Sequence, residues 1–529
     1  MLRRDFIKQT AFAGAALLTA PRSGASAPGF VYAWAGGVTD ETATVVVRTD
    51  RDAILQLAYA TQSDFSDAQL TPLVTADAGQ NNRIVRFVLE GLAPDTTYFY
   101  ALADGGGIAS DVAGQLKTFP DGPASMRFVF GSCARTGSND PVFDQIRAEQ
   151  PDLFIHCGDL HYEDIARDDE AVFRAAYEQA LAAPRQSDLY RSVPAVYMWD
   201  DHDFGPNNSD STSPSRRASR LAYRQVVPHY PLPAGDGADP VYHAFWYGRI
   251  RFIVTDLRSE KTPPGAPDDA SKSMMGAAQK AWFKQELVAA QPTASMIVWV
   301  NTVPWVGLDG DDGWHLFATE RTELSNFFRD NEITNLLVIS GDAHMLAIDN
   351  AVNTDYADGG GGGFLLFHAS PFDKEGRVKG GPYEIGPIIA EHQYGKVQIE
   401  DTGGTSVRVV LTGHGGDGTE KMRLERTFDA PLISNVSGEQ DVPARTHFEP
   451  PYPNPARDYL VVPFTLAEAG PVTVSLYTVA GQHIRTVESA SYGAGTHSVR
   501  ADLNGLAAGR YLVEFVSERI EQRRLVVVH

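Results

Sequence analysis

Cysteine is nearly absent from this chain. Cys133 and Cys157 are the two that its 529 residues contain, so no disulfide framework holds it together and stability has to come from buried apolar surface. Positive charge is also short. Lysine and arginine total 45 against 67 aspartates and glutamates, a formal net charge of -22. A surface so biased repels polyanions at long range, which excludes nucleic-acid binding over the whole surface and leaves a small anionic ligand in need of a locally positive site. Beyond the first residues there is no apolar run long enough to span a bilayer as a helix. What is present is ordinary globular material, 43% hydrophobic and 21% charged. The length exceeds that at which a single core stops growing, so two or more domains are expected.

Met1-Leu2-Arg3-Arg4-Asp5-Phe6-Ile7-Lys8, an Ala/Leu-rich stretch to Ala20 and the small residues Ala25-Ser26-Ala27 read as an export signal over residues 1–28. The arginine pair followed by Phe6, Ile7 and Lys8 resembles the twin-arginine signal, whose pathway exports folded proteins. The alternative is the basic start of a general secretory signal. In an exported chain Cys133 and Cys157 could bridge each other if their strands are neighbours. Against that, Cys133 follows an apolar run, where ligands gather, whereas Cys157 lies within one, where it would behave as a small buried hydrophobe. Cys133 is therefore favoured as a ligand.

From residue 29 to 120, short β-type runs such as Ala43-Thr44-Val45-Val46-Val47 alternate with turns, the pattern of a sandwich. Leu92 to Tyr100 resembles the fibronectin type III corner, where a tyrosine pins the start of a strand. Between residues 124 and 428, apolar strands alternate with helical stretches, the α/β signature. Helices are expected at Ala171 to Ala183, Ala277 to Ala290 and Thr319 to Asn331, the last with an apolar face through Leu324, Phe327 and Phe328. The Gly359 to Gly363 run is a flexible loop or a close backbone approach; without the Walker lysine and the following Ser/Thr it says little about phosphate. A linker over 429–449 leads to Pro450-Pro451-Tyr452-Pro453-Asn454-Pro455 and a second small β-sandwich over 450–529.

Six apolar runs of the α/β region end in polar residues. Phe128-Val129-Phe130 leads to Gly131-Ser132-Cys133, and Leu153-Phe154-Ile155-His156-Cys157 to Gly158-Asp159-Leu160-His161-Tyr162. Val196-Tyr197-Met198-Trp199 leads to Asp200-Asp201-His202-Asp203, and Leu337-Val338-Ile339 to Ser340-Gly341-Asp342-Ala343-His344. The runs before Asp256 and Asn301 end in the same way. Ligands of α/β sheets bind outside the carboxyl ends of strands, so these residue types at that position outweigh the same types scattered along the chain. Taken singly, each is weak, since a lone histidine or a tyrosine near a strand end is usually packing.

A hydrolytic two-metal centre needs a carboxylate to bridge both ions, ligands for each, and an open position for water and substrate. Asp159 is the natural bridge. Cys133 and Tyr162, with ordinary pKa values of about 8.5 and about 10, become anionic ligands near neutrality only beside a strongly polarising cation. That favours ferric iron, with His344 supplying nitrogen. An oxygen-rich second position from Asp159, Asp201 and Asp342 suits a hard divalent ion such as calcium, magnesium or manganese.

The ordered set GSC, GDLHY, WDDHD and SGDAH, with DLRS after Val254-Thr255, closely resembles PhoD-type alkaline phosphatases within the calcineurin-like metallophosphoesterases. The resemblance spans roughly Gly29 to Phe428. It implies a multidomain chain with a fibronectin III-like sandwich before an αββα metallophosphoesterase domain, and a phosphomonoesterase or phosphodiesterase using iron and calcium. Carried over by position, Cys133, Asp159, Tyr162 and His344 would hold iron, and Asp159, Asp201 and Asp342 calcium. His202 becomes the candidate for leaving-group stabilisation, oriented by Asp203, where family members often carry glutamate. Arg135 and Arg258 are candidate phosphate ligands because both follow strand ends, and Asn301 a further ligand of the second metal. The YPNP opening and the Val474-to-Val487 segment resemble the sorting domain of type IX secretion, which implies export through that machinery to the periplasm, the cell surface or the medium. Two other readings stand beside this one: a phosphodiesterase or nucleotidase using two divalent ions such as manganese, magnesium or zinc, and a non-enzymatic surface binding protein.

Overall fold

The computed structural model describes residues 29–431 apart from 106, 110–112 and 308–311, and then 446–448, 451–452, 456–457, 459–479, 481–493, 495–517 and 520–528. The expected export signal at 1–28, most of the expected 429–449 linker and Pro453 to Pro455 lie outside the described residues. The chain divides into two compact units, with the boundary at Leu432 and Ile433. No helix among the described residues is long and apolar enough to cross a membrane.

In the first unit the early β-runs form one sheet from Phe30–Gly36, Ala43–Thr49 and Ile84–Leu89, and a second built on Ala53–Ala60 and Thr97–Asp104. The Tyr98 hydroxyl accepts the Ala93 N–H at 2.9 Å, so the tyrosine does tie the corner before its strand. This layer is not a free-standing domain. The Trp34 indole donates to Val226 O at 2.8 Å, Tyr230 donates to Val38 O at 2.8 Å, and Arg86 donates to the carbonyls of Arg224 and Val227. One hydrophobic core runs from Trp34 and Val46 into the α/β region.

The α/β region holds two sheets. Met126–Gly131 lies parallel to Leu153–His156, which lies parallel to Ala195–Tyr197; antiparallel strands Gln393–Glu400, Ser406–Gly415 and Glu420–Asp429 extend the other side. In the second sheet Ile250–Val254, Met296–Val300, Leu336–Ser340 and Leu365–Ala369 run parallel. The six strands that end in polar residues divide three and three between two sheets. Their ends are level, with Gly131 opposite His156 and His156 opposite Tyr197 in one sheet, and Val254 opposite Val300 and Val300 opposite Ile339 in the other. Phe128 meets Phe252 at 5.6 Å and Phe130 meets Phe367 at 5.0 Å across the gap, so the apolar runs pack face to face. Strands buried on both sides carry continuous apolar sequence, as these do.

Helix Ala277–Ala290 matches its expected span, and Ala318–Asp330 starts and ends one residue early. Between them they bury Phe283, Leu287, Leu324 and Phe328 in one cluster with Trp299 of the second sheet and Trp305 in the loop that follows its strand. The helix expected to Ala183 ends at Leu181, because Pro184 opens a new helix to Ser192. A proline is tolerated at the first helical position but removes a donor and clashes inside a helix. The glycine run is a turn folded over an acid: Asp355 accepts the N–H groups of Gly361 and Gly362.

The second unit, taken by itself, consists of strands in two sheets. One pairs Tyr459–Leu466 with Gly495–Asp502; the other orders His483–Tyr492, Gly470–Thr478, Gly509–Ser517 and Glu521–Val528. Leu460, Phe464, Val474, Leu476 and Phe515 fill the space between them.

Candidate metal centre

The loops after these strand ends pack closely against one another. Gly158 has φ +93, and a Cβ there would stand 2.4 Å from the Asp200 Cβ; at Gly341 one would stand 2.5 Å from Cys157 O. Glycine is what lets the acid-bearing loops close on one another. Cys133, Asp159, Asp342 and His344 all have positive φ, between 52 and 65. Non-glycine residues cost free energy in that region and cluster at functional sites.

These strained residues converge. Ligand atoms of Cys133, Asp159 and His344 lie within 4.8 Å of one another, as do those of Asp159, Asp201 and His202, and those of Asp200, Asp201 and Asp342. The Tyr162 hydroxyl donates to Asp159 Oδ2 at 2.8 Å and stands 3.4 Å from His344 Nε2, while Cys133 Sγ is 3.4 Å from Asp159 Oδ2. His344 Nδ1 bonds Glu375 O at 2.7 Å, which leaves Nε2 facing the cluster. One oxygen each of Asp159, Asp200, Asp201 and Asp342 is buried without a hydrogen-bond partner. Buried carboxylates are normally paired or coordinated, so four orphaned oxygens around shared space fit bound cations.

The electrostatics agree. Burial, helped by Asp201, pushes the Asp159 carboxyl up to about 8. Burial, with Asp159 next, also raises the Cys133 thiol and the Tyr162 phenol well above their ordinary values. An assembly that cannot hold its charges alone is one a cation relieves. The Lys379 ammonium bonds Asp342, and Asp201 is lowered, against its burial, chiefly by Arg258.

Several expected roles change. Asp203 does not orient His202; its oxygens accept the backbone N–H groups of Asp159 at 2.5 Å, His161 at 3.1 Å and Asp200 at 3.1 Å, so it shapes the ligand loops. His202 Nδ1 pairs instead with Asp164 Oδ1 at 2.6 Å, a residue sequence reading passes over, and its ring lies 4.2 Å from that of Tyr162. Arg258 is fully buried, bound to Asp200 at 2.5 Å and Asp312 at 2.7 Å, with no face left for phosphate. The Asn301 amide is likewise spent: it donates to Val303 O at 2.6 Å and accepts the Trp314 indole N–H at 2.8 Å. Asp256, too, serves the scaffold, accepting from the Trp199 indole at 2.8 Å. Arg135 stays open at the rim, 3.1 Å from Asp373.

Cys133 and Cys157 are free and buried. Without reductant, two thiols per chain are expected to react with a thiol reagent after denaturation and none before; a count of zero after denaturation would restore the disulfide.

Residues 128–379 match the PhoD-like phosphatase family. The chain carries a PhoD-like phosphatase domain. Alkaline phosphatase D of Bacillus subtilis (strain 168) is 22% identical to it over 306 residues, 48% of this chain and 52% of that protein, so the chain spans about half the length of the curated relative it matches. A solved structure of PhoD superposes with a TM-score of 0.62 at 17% identity, over 79% of this chain and 94% of that one, and shows a common fold. Residues 451–529 match the secretion system C-terminal sorting domain, the type IX signal that marks a chain for export. All the candidate ligands fall inside the PhoD-like domain.

Proposed function

We propose that the protein is an exported, metal-dependent phosphoesterase that hydrolyses phosphate monoesters, diesters or both. In this reading the two-sheet region is a calcineurin-like αββα domain. Cys133, Asp159, Tyr162 and His344 hold ferric iron, and Asp159, Asp201 and Asp342 hold calcium. The observation that carries it is the set of orphaned, buried carboxylate oxygens of Asp159, Asp200, Asp201 and Asp342 beside a thiol, a phenol and an imidazole. Bound there, the cations would supply Lewis acidity to the phosphoryl oxygens and lower the pKa of the attacking water.

The protein's own groups do the rest. His202 is held above its ordinary pKa: burial opposes this, but Asp159, Asp201 and Asp164 outweigh it. That shift favours its protonated form, suited to donating a proton to the leaving oxygen. Asp164 fixes the ring through Nδ1 and leaves Nε2 to make that donation. Asp203 holds the backbone of both ligand loops, and Arg258 keeps Asp200 and Asp201 in place.

The test is metal analysis of purified protein beside phosphate release from an aryl phosphate and a diester, with and without calcium chelation. Iron with a visible tyrosinate absorption, together with chelation-sensitive turnover, is expected. A colourless, fully active protein carrying zinc or manganese would overturn the iron assignment, and a protein inert to both esters would overturn the enzyme. Asp164→Asn should lower kcat by roughly tenfold with little change in KM. Losing a carboxylate also lowers the His202 pKa, so the alkaline limb of kcat should move to lower pH; a limb that stays put would remove Asp164 from the mechanism.

A further inference from the structure

Beside His344 lies a cavity of about 430 Å³ lined by Arg135, His344, Lys374, Glu375, Gly376 and Arg377. The reading above leaves it without a role. The segment that forms it is strapped to the ligand loops by backbone. Phe372 N–H donates to Ser132 O at 2.9 Å, Asp373 N–H to Cys133 O at 3.2 Å, and Arg377 N–H to His344 O at 3.0 Å. Its backbone is therefore fixed beside the centre and is not that of a free loop. Arg135 is tied to Asp373 at 3.1 Å, and the Lys374 ammonium rests 3.8 Å over the Tyr162 ring. Among the described residues neither Lys374 nor Arg377 has a carboxylate within ion-pair distance, and Glu375 is the one acid lining the cavity. In a chain of net charge -22, two cations without a carboxylate partner beside the candidate centre are a local reversal of sign.

We propose that this cavity is a second anion subsite, which receives a second phosphoryl group of a substrate whose scissile phosphate lies at the metal centre. The preferred substrates are then phosphate esters carrying two or more phosphates. Arg377 offers a planar fork that binds phosphate oxygens in pairs, Lys374 a point charge, and Arg135 a third donor at the margin. This rests on the phosphoesterase reading, which a single-phosphate ester tests by itself.

The experiment has two arms. In the first, kcat/KM for a sugar bisphosphate and for a short phosphodiester oligomer is divided by that for an aryl phosphate, in the wild type and in Arg377→Gln and Lys374→Gln. Each ratio is expected to be above one and to fall by roughly tenfold in the variants, the loss of one charge-assisted contact. Comparing bisphosphate with oligomer tells a compact substrate from a polymer. In the second, calorimetry compares a propylene-linked bisphosphonate with propylphosphonate on the metal-loaded protein; the bisphosphonate should bind more tightly, and Arg377→Gln should erase the difference. Ratios that stay unchanged in both variants, or parallel losses for all ligands, would overturn the subsite. A wild type that hydrolyses none of the esters yet keeps the bisphosphonate preference would overturn the enzyme and leave the subsite standing.

Discussion

Asp159→Asn is expected to abolish phosphate release, by about a thousandfold or more, and to make the metal-free protein more stable. The first effect follows from position. Asp159 belongs to both the Cys133–His344 group and the Asp201–His202 group, and one of its oxygens is buried without a partner. An asparagine keeps the shape but loses the charge that, on the proposed reading, would let one side chain serve two cations, and a thousandfold loss corresponds to about 4 kcal/mol of transition-state stabilisation. The second effect has the opposite sign and comes from the same carboxylate. Burial first, then Asp201, lifts its pKa from 3.8 to about 8 in the fold. Between those values the folded chain keeps a proton that the unfolded chain has released, so folding stability falls as pH rises through that window. Asparagine cannot ionise and escapes the penalty. Thermal melts of chelated protein should show the variant at or above wild type near pH 8, while phosphate release and iron content collapse. A variant that loses stability along with activity would point to a structural role alone.

Most of the centre could be read before any fold was known, for a physical reason. Cys133, Asp159, Asp201, Asp342 and His344 each follow an apolar run, and the structure brings them within a few ångströms because parallel strands in register end at the same level. What was not legible depends on partners distant in sequence or on direction around a backbone. Asp203 follows His202 immediately, which invites pairing them; on the Asp201–Phe204 turn, consecutive side chains point apart, and Asp203 faces the loop backbone behind it. Asp164 sits in an irregular loop with no periodicity to mark it, and Lys379 reaches Asp342 from a segment 37 residues away. Which strands share a sheet was hidden too, since an apolar run says that a strand is buried on both faces and nothing about which strands share hydrogen bonds.

Arg258 is the clearest case of a residue whose role reverses once its surroundings are known, and it carries the largest expected effect on stability. After a strand end, an arginine reads as a ligand for phosphate. Here it is wholly buried among Asp200, Asp312 and Asp201, the last at 3.8 Å, with Lys261 on the far side of Asp312. Burial alone would lower its pKa, yet Asp200 and Asp312 hold it well above the ordinary arginine value. Replacing it by methionine preserves volume and leaves Asp200 without its cation; Asp312 keeps Lys261. Removing one partner from a buried pair costs about 3–5 kcal/mol because the other charge stays desolvated. The urea stability of Arg258→Met should fall by that amount. By contrast, Arg408→Met, which removes exposed contacts to Glu400 and Glu425, should change it by less than about 1 kcal/mol. Adding Asp200→Asn to Arg258→Met removes the stranded charge and should restore part of the loss, giving a coupling free energy a double-mutant cycle reads directly. Additive losses would mean that the two side chains act independently and that Asp200 owes its position to something other than the arginine.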